Sequence, residues 1–159
     1  MEIHNLDTLE EEFVWKDAAG LMTQYLGGAA GSRKLYVNID KVPPEAFSTK
    51  YHSHSQQEEF FLILSGCGAL RLNGKEYAVK TGDYIAKPSG QNIAHQFYNS
   101  SREVLVILDV GTVEEEDTCY YPDEGVYLHK SNGESKAFGE QSLVEGWTSD
   151  PNGTQIVKR

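Results

Sequence analysis

Cysteine is scarce in this 159-residue chain, and long apolar runs are missing from it. Two cysteines, Cys67 and Cys119, are too few for a disulfide scaffold, which favours a reducing compartment. No run approaches the roughly 18 apolar residues needed to cross a bilayer, and the N-terminus lacks a basic segment followed by an apolar one. We therefore expect a cytoplasmic protein that does not enter a membrane.

Positive charge is also in short supply. The chain has 14 Lys and Arg residues against 24 Asp and Glu, which gives a net charge of -10. This field repels phosphate backbones and anionic lipids, so neither nucleic acid nor membrane is an expected partner. It also disfavours multiply anionic small molecules, unless a metal or a local cation such as Lys87 or Arg71 offsets it.

What the chain does contain is a series of short strand-like segments separated by Pro, Gly and Asn turns. The segments cover residues 35–39, 50–54, 60–64, 69–72, 75–79, 84–87, 95–99 and 104–109. Because no long helical segment lies between them, they predict an all-β sandwich or barrel. The clearest local signal is Asn73-Gly74, since these residues suit the positive φ angles of a type I′ hairpin turn.

The length fits a single domain, which we divide into three parts. Residues 1–34 are an N-terminal arm with a turn of helix at 9–15 and a flexible glycine connector at 27–31. Residues 35–110 are the β core, with Phe61, Ile63, Phe97 and Ile107 inside it. Residues 111–159 are a C-terminal extension packing on the core, in which the acidic run 114–117 is expected to be a solvated loop.

The chemistry concentrates in two stretches, the first of which runs from His52 to Gly66. In an extended strand, residues two apart share a face, so the imidazoles of His52 and His54 should point the same way. Glu59 opens an apolar strand whose members we expect to be buried on both faces. A carboxylate there needs a counter-charge or a metal, whereas Glu58 should face outward.

The second stretch, residues 82–99, repeats the order of turn, strand, turn and strand. His95 opens its last strand, as Glu59 opens the strand in the first stretch, and can supply a fourth ligand. Three imidazoles and one carboxylate suit one divalent transition metal such as Mn, Fe, Co, Ni, Cu or Zn, rather than Ca or Mg. Four protein ligands leave two positions of an octahedral ion open for water, substrate or dioxygen.

These stretches resemble the two cupin motifs, as His52-x-His54-x4-Glu59-x6-Gly66 and Gly82-x5-Pro88-x-Gly90 followed by His95-x3-Asn99. The resemblance covers about residues 35–109. It implies a double-stranded β-helix, the cupin or jelly-roll barrel, and a homodimer. It places the metal ligands on His52, His54, Glu59 and His95.

Two positions depart from the cupin pattern. Ala46 stands where the first motif usually begins with Gly, and four residues rather than two separate Gly90 from His95. The longer loop removes no ligand but can reshape the mouth of the pocket. The Tyr-Tyr-Pro-Asp sequence at 120–123 resembles small bacterial single-domain cupins, some of which are labelled sugar-phosphate isomerases.

The predicted function is that of a metal-dependent enzyme acting on a small polar molecule, by sugar-phosphate isomerisation or by dioxygenation. Isomerisation needs a base and a cation for the phosphate, for which Glu59 and Lys87 are the candidates. Lys87 and Gln91 are the candidate substrate-binding residues, although each, taken singly, is expected to be exposed. The alternative is a non-catalytic cupin that binds or senses a small ligand through a structural or anchoring metal.

Overall fold

The computed structural model describes residues 2–14, 20–144 and 149, and these residues form antiparallel β-sheets. The thirteen strands within the described residues are β1 Glu12–Phe13, β2 Met22–Tyr25, β3 Leu35–Val42, β4 Ser53–His54, β5 Glu59–Ser65, β6 Cys67–Leu72, β7 Lys75–Lys80, β8 Tyr84–Lys87, β9 His95–Tyr98, β10 Leu105–Thr112, β11 Glu116–Tyr121, β12 Val126–Ser131 and β13 Glu134–Gly139. A short helix, α1, spans Leu26–Ala29, and 3-10 turns span Leu6–Thr8 and Glu140–Ser142. None of these helices could cross a membrane.

Three sheets form the all-β cupin-type fold expected from the sequence. The first sheet has the order β1-β2-β3-β10-β5-β8, the second β13-β12-β11-β4 and the third β7-β6-β9. An antiparallel β-bridge between His52 and His95 joins the two sequence stretches that carry the candidate ligands. The central strand β10 pairs with β3 on one side and with β5 on the other.

The core comprises the inward-facing apolar side chains of these sheets. Phe61, Ile63, Phe97 and Ile107 are all buried in one cluster with Leu105, as expected. The expectation that β5 is buried on both faces is wrong, since its side chains alternate and Phe60 is 38% exposed. Only one face of this strand packs on the core, as is common in antiparallel sheets.

The Asn73-Gly74 turn adopts the predicted hairpin geometry. Both residues have positive φ, 47° and 75°, and Leu72 pairs with Lys75 across the turn. These are the angles that a type I′ turn requires, and Gly adopts them without the steric cost of a Cβ atom.

The two flanking segments are more ordered than the sequence indicates. The run 114–117 is not simply a solvated loop, because β11 begins at Glu116 and Asp117 is only 5% exposed. Strands β12 and β13 then extend the sheet of the C-terminal part. In the arm, Glu12–Phe13 is a strand rather than a helix, the glycine connector overlaps α1, and residues 15–19 lie outside the described residues.

Candidate metal centre

The ligand candidates lie on facing parts of the sheets. His52 lies just before β4 and His54 lies in it, and His54 pairs with Cys119 of β11. Glu59 opens β5, and His95 opens β9 and bridges to His52. Glu59 is 4% exposed and His95 is 3% exposed, whereas Glu58 faces solvent. Glu59 therefore points inward and Glu58 outward, as the two-residue period of a strand predicts.

Two imidazoles meet at the centre of this cluster. The Nε2 atoms of His52 and His54 are 3.1 Å apart, and His54 Nε2 lies 3.6 Å from Glu59 Oε1. Two atoms bound to one ion at about 2.1 Å lie about 3.0 to 4.2 Å apart, depending on the angle at the ion. These two separations fit a shared transition metal, and the ligand atoms of His52, His54 and Glu59 all lie within 4.8 Å of one another.

The hydrogen bonds on the far side of both rings fix which nitrogen faces inward. His52 Nδ1 lies 2.7 Å from the Lys50 carbonyl, and His54 Nδ1 lies 2.6 Å from Asp117 Oδ2. Since each Nδ1 donates, the neutral rings would point two Nε2 lone pairs at each other. A contact of this kind needs a cation between the rings, either a proton or a metal ion.

The pKa values of the histidines follow from these contacts. Burial, helped by the neighbouring His54, lowers the pKa of His52 to about 4, and burial lowers that of His95 well below 6.5. Burial also acts to lower the pKa of His54, but the Asp117 hydrogen bond and the other contacts outweigh it and raise it to about 9. His54 must therefore release a proton before it can bind a metal.

Asp117 and Cys119 are functional candidates that the sequence analysis missed. Residues 117 and 119 share one face of β11, and the Cys119 thiol lies 3.4 Å from His54 Nδ1. Asp117 Oδ1 accepts hydrogen bonds from the backbone N–H groups of Ser55 and Gln56 and from the Ser55 hydroxyl. This anchored carboxylate holds the His54 ring in the orientation that aims Nε2 at the centre.

Lys87 contradicts the expectation of solvent exposure, being only 4% exposed. Its Nζ donates to Glu59 Oε2 at 2.5 Å and to His95 Nδ1 at 2.6 Å. The reason is strand register: Lys87 is paired directly with Glu59 across β8 and β5. Burial acts to raise the Glu59 pKa, but Lys87 and His54 outweigh it and lower the pKa below 4.5, so Glu59 is a carboxylate.

The other candidate cations and polar groups lie away from this cluster. Gln91 is exposed on the loop before β9. Arg71 forms a bidentate salt bridge with Asp123 and stacks on the Tyr51 ring. The Arg71 guanidinium is thus already engaged outside the centre.

Tyr36 belongs to a row of paired residues that crosses four strands. Tyr36, Gly111, Glu59 and Lys87 are successive partners on β3, β10, β5 and β8. The Tyr36 ring crosses over Gly111, where a Cβ atom would lie 2.4 Å from a ring carbon. Its hydroxyl lies 3.2 Å from Glu59 Oε1 and 3.0 Å from Asp109 Oδ1. The absent side chain of Gly111 is what allows Tyr36 to reach the centre.

Behind Tyr36 lies a buried pair of carboxyl groups. Asp109 hydrogen-bonds Asp40, which also accepts a hydrogen bond from the Thr23 hydroxyl at 2.8 Å. Burial, reinforced by the neighbouring carboxylate, raises the Asp109 pKa well above 3.8, and burial raises that of Asp40 to about 6. Two negative charges side by side are unfavourable in this buried place, which favours a proton shared between the two carboxyl groups.

An open cavity of about 1090 Å³ borders the back of the centre. Its lining includes Ser55, Gln56, Asp117 and Thr118, along with Arg33 from the end of the arm. Asp117 thus stands between this cavity and the His54 ring.

Both a family model and solved structures are similar to this chain. The model of the cupin domain family matches residues 38–111, and no curated protein sequence matches the chain. A structure from Acidithiobacillus ferrooxidans, provisionally named a sugar phosphate isomerase, is 28% identical, with a TM-score of 0.79 over 86% of this chain and 87% of that one. The sugar phosphate isomerase of the cupin superfamily from Silicibacter pomeroyi is 26% identical, with a TM-score of 0.80 over 94% and 98%.

A more distant structure shares the fold alone. The polyketide cyclase RemF from Streptomyces resistomycificus is 23% identical, with a TM-score of 0.62 over 72% of this chain and 80% of that one. The matched residues 38–111 contain both ligand stretches, and the sheets that carry them have cupin topology. Residues 38–111 therefore match the cupin domain, and the chain is similar over most of its length to a structure from the cupin superfamily.

Proposed function

We propose that this protein is a metal-dependent enzyme that isomerises a small sugar phosphate. The observation that carries the metal is the 3.1 Å contact between the Nε2 atoms of His52 and His54, both of whose Nδ1 atoms are already engaged. Glu59 and His95 are the other two proposed ligands of one divalent transition metal such as Mn, Fe, Zn, Ni or Co. When bound, such an ion would polarise an oxygen substituent of the substrate.

The reaction class is supported by the similarity to two structures, each covering most of this chain: a sugar phosphate isomerase of the cupin superfamily and a protein provisionally named a sugar phosphate isomerase. An aldose–ketose isomerisation moves a proton between neighbouring carbons and another between their oxygens. We assign the carbon-bound proton to the Glu59 carboxylate, which has two oxygens and can use one as a ligand and the other as a base. Lys87 Nζ, 2.5 Å from Glu59, is assigned to the oxygen-bound proton.

Binding of the substrate would use the cations of the site. Lys87 is the proposed partner of an anionic substrate group, and Gln91, exposed on the loop before His95, is a proposed polar contact at the mouth. Lys87 and the metal offset the net charge of -10, because a buried ammonium and a divalent ion make the centre locally attractive to an anion.

A deuterium-exchange experiment tests the reaction class. The protein is loaded with Mn²⁺ or Zn²⁺ and incubated in D₂O with aldose and ketose phosphates, and proton NMR follows both isomerisation and loss of the signal next to the carbonyl. We expect metal-dependent exchange in the wild type, none in the His52→Ala/His54→Ala variant, and full activity in the control His4→Ala, since His4 is exposed. Stoichiometric metal without exchange on any sugar phosphate would favour a binding or sensing role.

We also propose, from the resemblance, a homodimer that works in the cytoplasm. Light scattering coupled to size-exclusion chromatography gives the mass directly, and a mass near 17.7 kDa would refute the dimer.

A further inference from the structure

The position of Lys87 suggests a role beyond contact with a substrate. Its ammonium bridges Glu59 Oε2 and His95 Nδ1, which are 3.8 Å apart. That separation lies within the about 3.0 to 4.2 Å expected for two atoms bound to one ion. Lys87 therefore fills the place that a cation shared by these two ligands would take.

The other half of the ligand set is arranged differently. The ligand atoms of His52, His54 and Glu59 lie within 4.8 Å of one another, and His95 does not belong to that group in the described part of the chain. His95 accepts the Lys87 hydrogen bond through Nδ1 instead. One ligand of the predicted four is thus directed at Lys87 rather than at the remaining imidazoles.

Geometry makes the present ammonium position and an ion bound to both Glu59 Oε2 and His95 Nδ1 mutually exclusive. An ion within about 2.1 Å of both Glu59 Oε2 and His95 Nδ1 would lie less than about 3 Å from the present Nζ position, on either side of the two atoms. Two positive charges cannot share that space in a buried site. Ligation through Glu59 Oε2 and His95 Nδ1 therefore requires Lys87 to withdraw.

We infer that Lys87 is an internal cation that competes with the metal for Glu59 and His95, and so lowers the metal affinity of the site. This inference rests on the proposed metal centre. It identifies one residue of this chain that sets how tightly the centre holds its ion. When the metal displaces Lys87, the freed ammonium becomes available to an anionic group of the substrate.

The test compares Lys87→Met with wild type and with Lys75→Met, which removes the same charge from an exposed position. Each protein is titrated at neutral pH with Mn²⁺ alone and with Zn²⁺ alone, in competition with a chromophoric chelator. We expect Lys87→Met to bind one ion per chain at least tenfold more tightly than wild type, and Lys75→Met to match wild type within twofold. Thermal unfolding with and without the ion gives an independent readout, with the larger metal-dependent rise in Tm in Lys87→Met.

The possible results separate the two proposals. Wild-type protein that binds metal as tightly as Lys87→Met, or more tightly, overturns the inference and leaves the metal centre standing. No binding by either protein overturns the proposed metal-dependent function. Binding by the variant alone supports competition by Lys87 and refutes metal dependence in the wild type. If Lys87→Met does not fold, Lys87→Gln keeps an N–H donor for Glu59 without the charge, and the same comparison is made with it.

Discussion

The substitution Asp117→Asn separates the orientation of His54 from the rest of the centre. Asn keeps an oxygen in the position of Oδ1, where Asp117 accepts hydrogen bonds from Ser55 and Gln56. It places an amide group opposite His54 Nδ1, which now receives a hydrogen bond instead of donating one. When this ring is neutral, its one proton is then held on Nε2, the atom that faces His52 and Glu59.

The cost of this change can be worked out from the contact that is lost. The 2.6 Å hydrogen bond between His54 and Asp117 is buried and charge-assisted, and such a bond contributes about 1.5 to 3 kcal/mol to the free energy of unfolding. For a chain of this length, that loss corresponds to a fall in Tm of about 3 to 12 °C. Because a protonated Nε2 cannot bind a metal, the metal affinity should also fall, by about 10- to 100-fold.

Urea unfolding and a competitive Mn²⁺ titration measure these two effects separately. The matched control is Glu116→Gln, which removes the same charge from the exposed neighbour on β11. The control should retain the metal affinity of the wild type. If Asp117→Asn bound Mn²⁺ as tightly as the control, Asp117 would not orient His54 and the reasoning would be refuted.

Three further perturbations test other parts of the structure. Gly111→Ala should lower the free energy of unfolding by about 1 to 3 kcal/mol, because the new Cβ atom meets the Tyr36 ring. In a Tyr36→Ala background the loss should be much smaller, and equal losses in the two backgrounds would show that Tyr36 is not the obstacle. Leu105→Ala, at a fully buried core position, should cost about 2 to 5 kcal/mol in urea unfolding, and a smaller loss would show that the core collapses around the cavity. The folded-state pKa of His54 is raised from 6.5 to about 9, so protonated His54 contributes about 3 kcal/mol to the free energy of unfolding below pH 6.5, and this contribution is lost as pH rises through 9. The difference in stability between wild type and Asp117→Asn should therefore shrink over that range. A constant difference would contradict the assigned pKa.

The features that local patterns predict well are those decided within one strand or one turn. The two-residue period of an extended chain is enough to place His52 and His54 on one face and to separate Glu59 from Glu58. The Asn73-Gly74 turn needs only its own φ angles. These predictions depend on no partner that is distant in sequence.

The features that were missed depend on which strands lie side by side. Asp117 reaches His54 because β11 pairs with β4, about sixty residues earlier in the chain, so in the sequence it is only part of an acidic run. Lys87 is buried because its register partner on β5 is Glu59, a pairing that the hydropathy of β8 does not reveal. The alternation of Asp117, Cys119 and Tyr121 on one face of β11 was the available signal, and it indicates a strand rather than a loop.

The measurement that tests the central claim most directly is elemental analysis of protein purified without a metal-affinity tag. Wild type, His52→Ala/His54→Ala and the exposed control His4→Ala are compared, each with circular dichroism to confirm the fold. We expect close to one divalent transition metal ion per chain in wild type and control, and none in the double variant. Folded wild-type protein that takes up no metal even after reconstitution, or a double variant that retains it, would contradict the assignment of these residues as a metal centre.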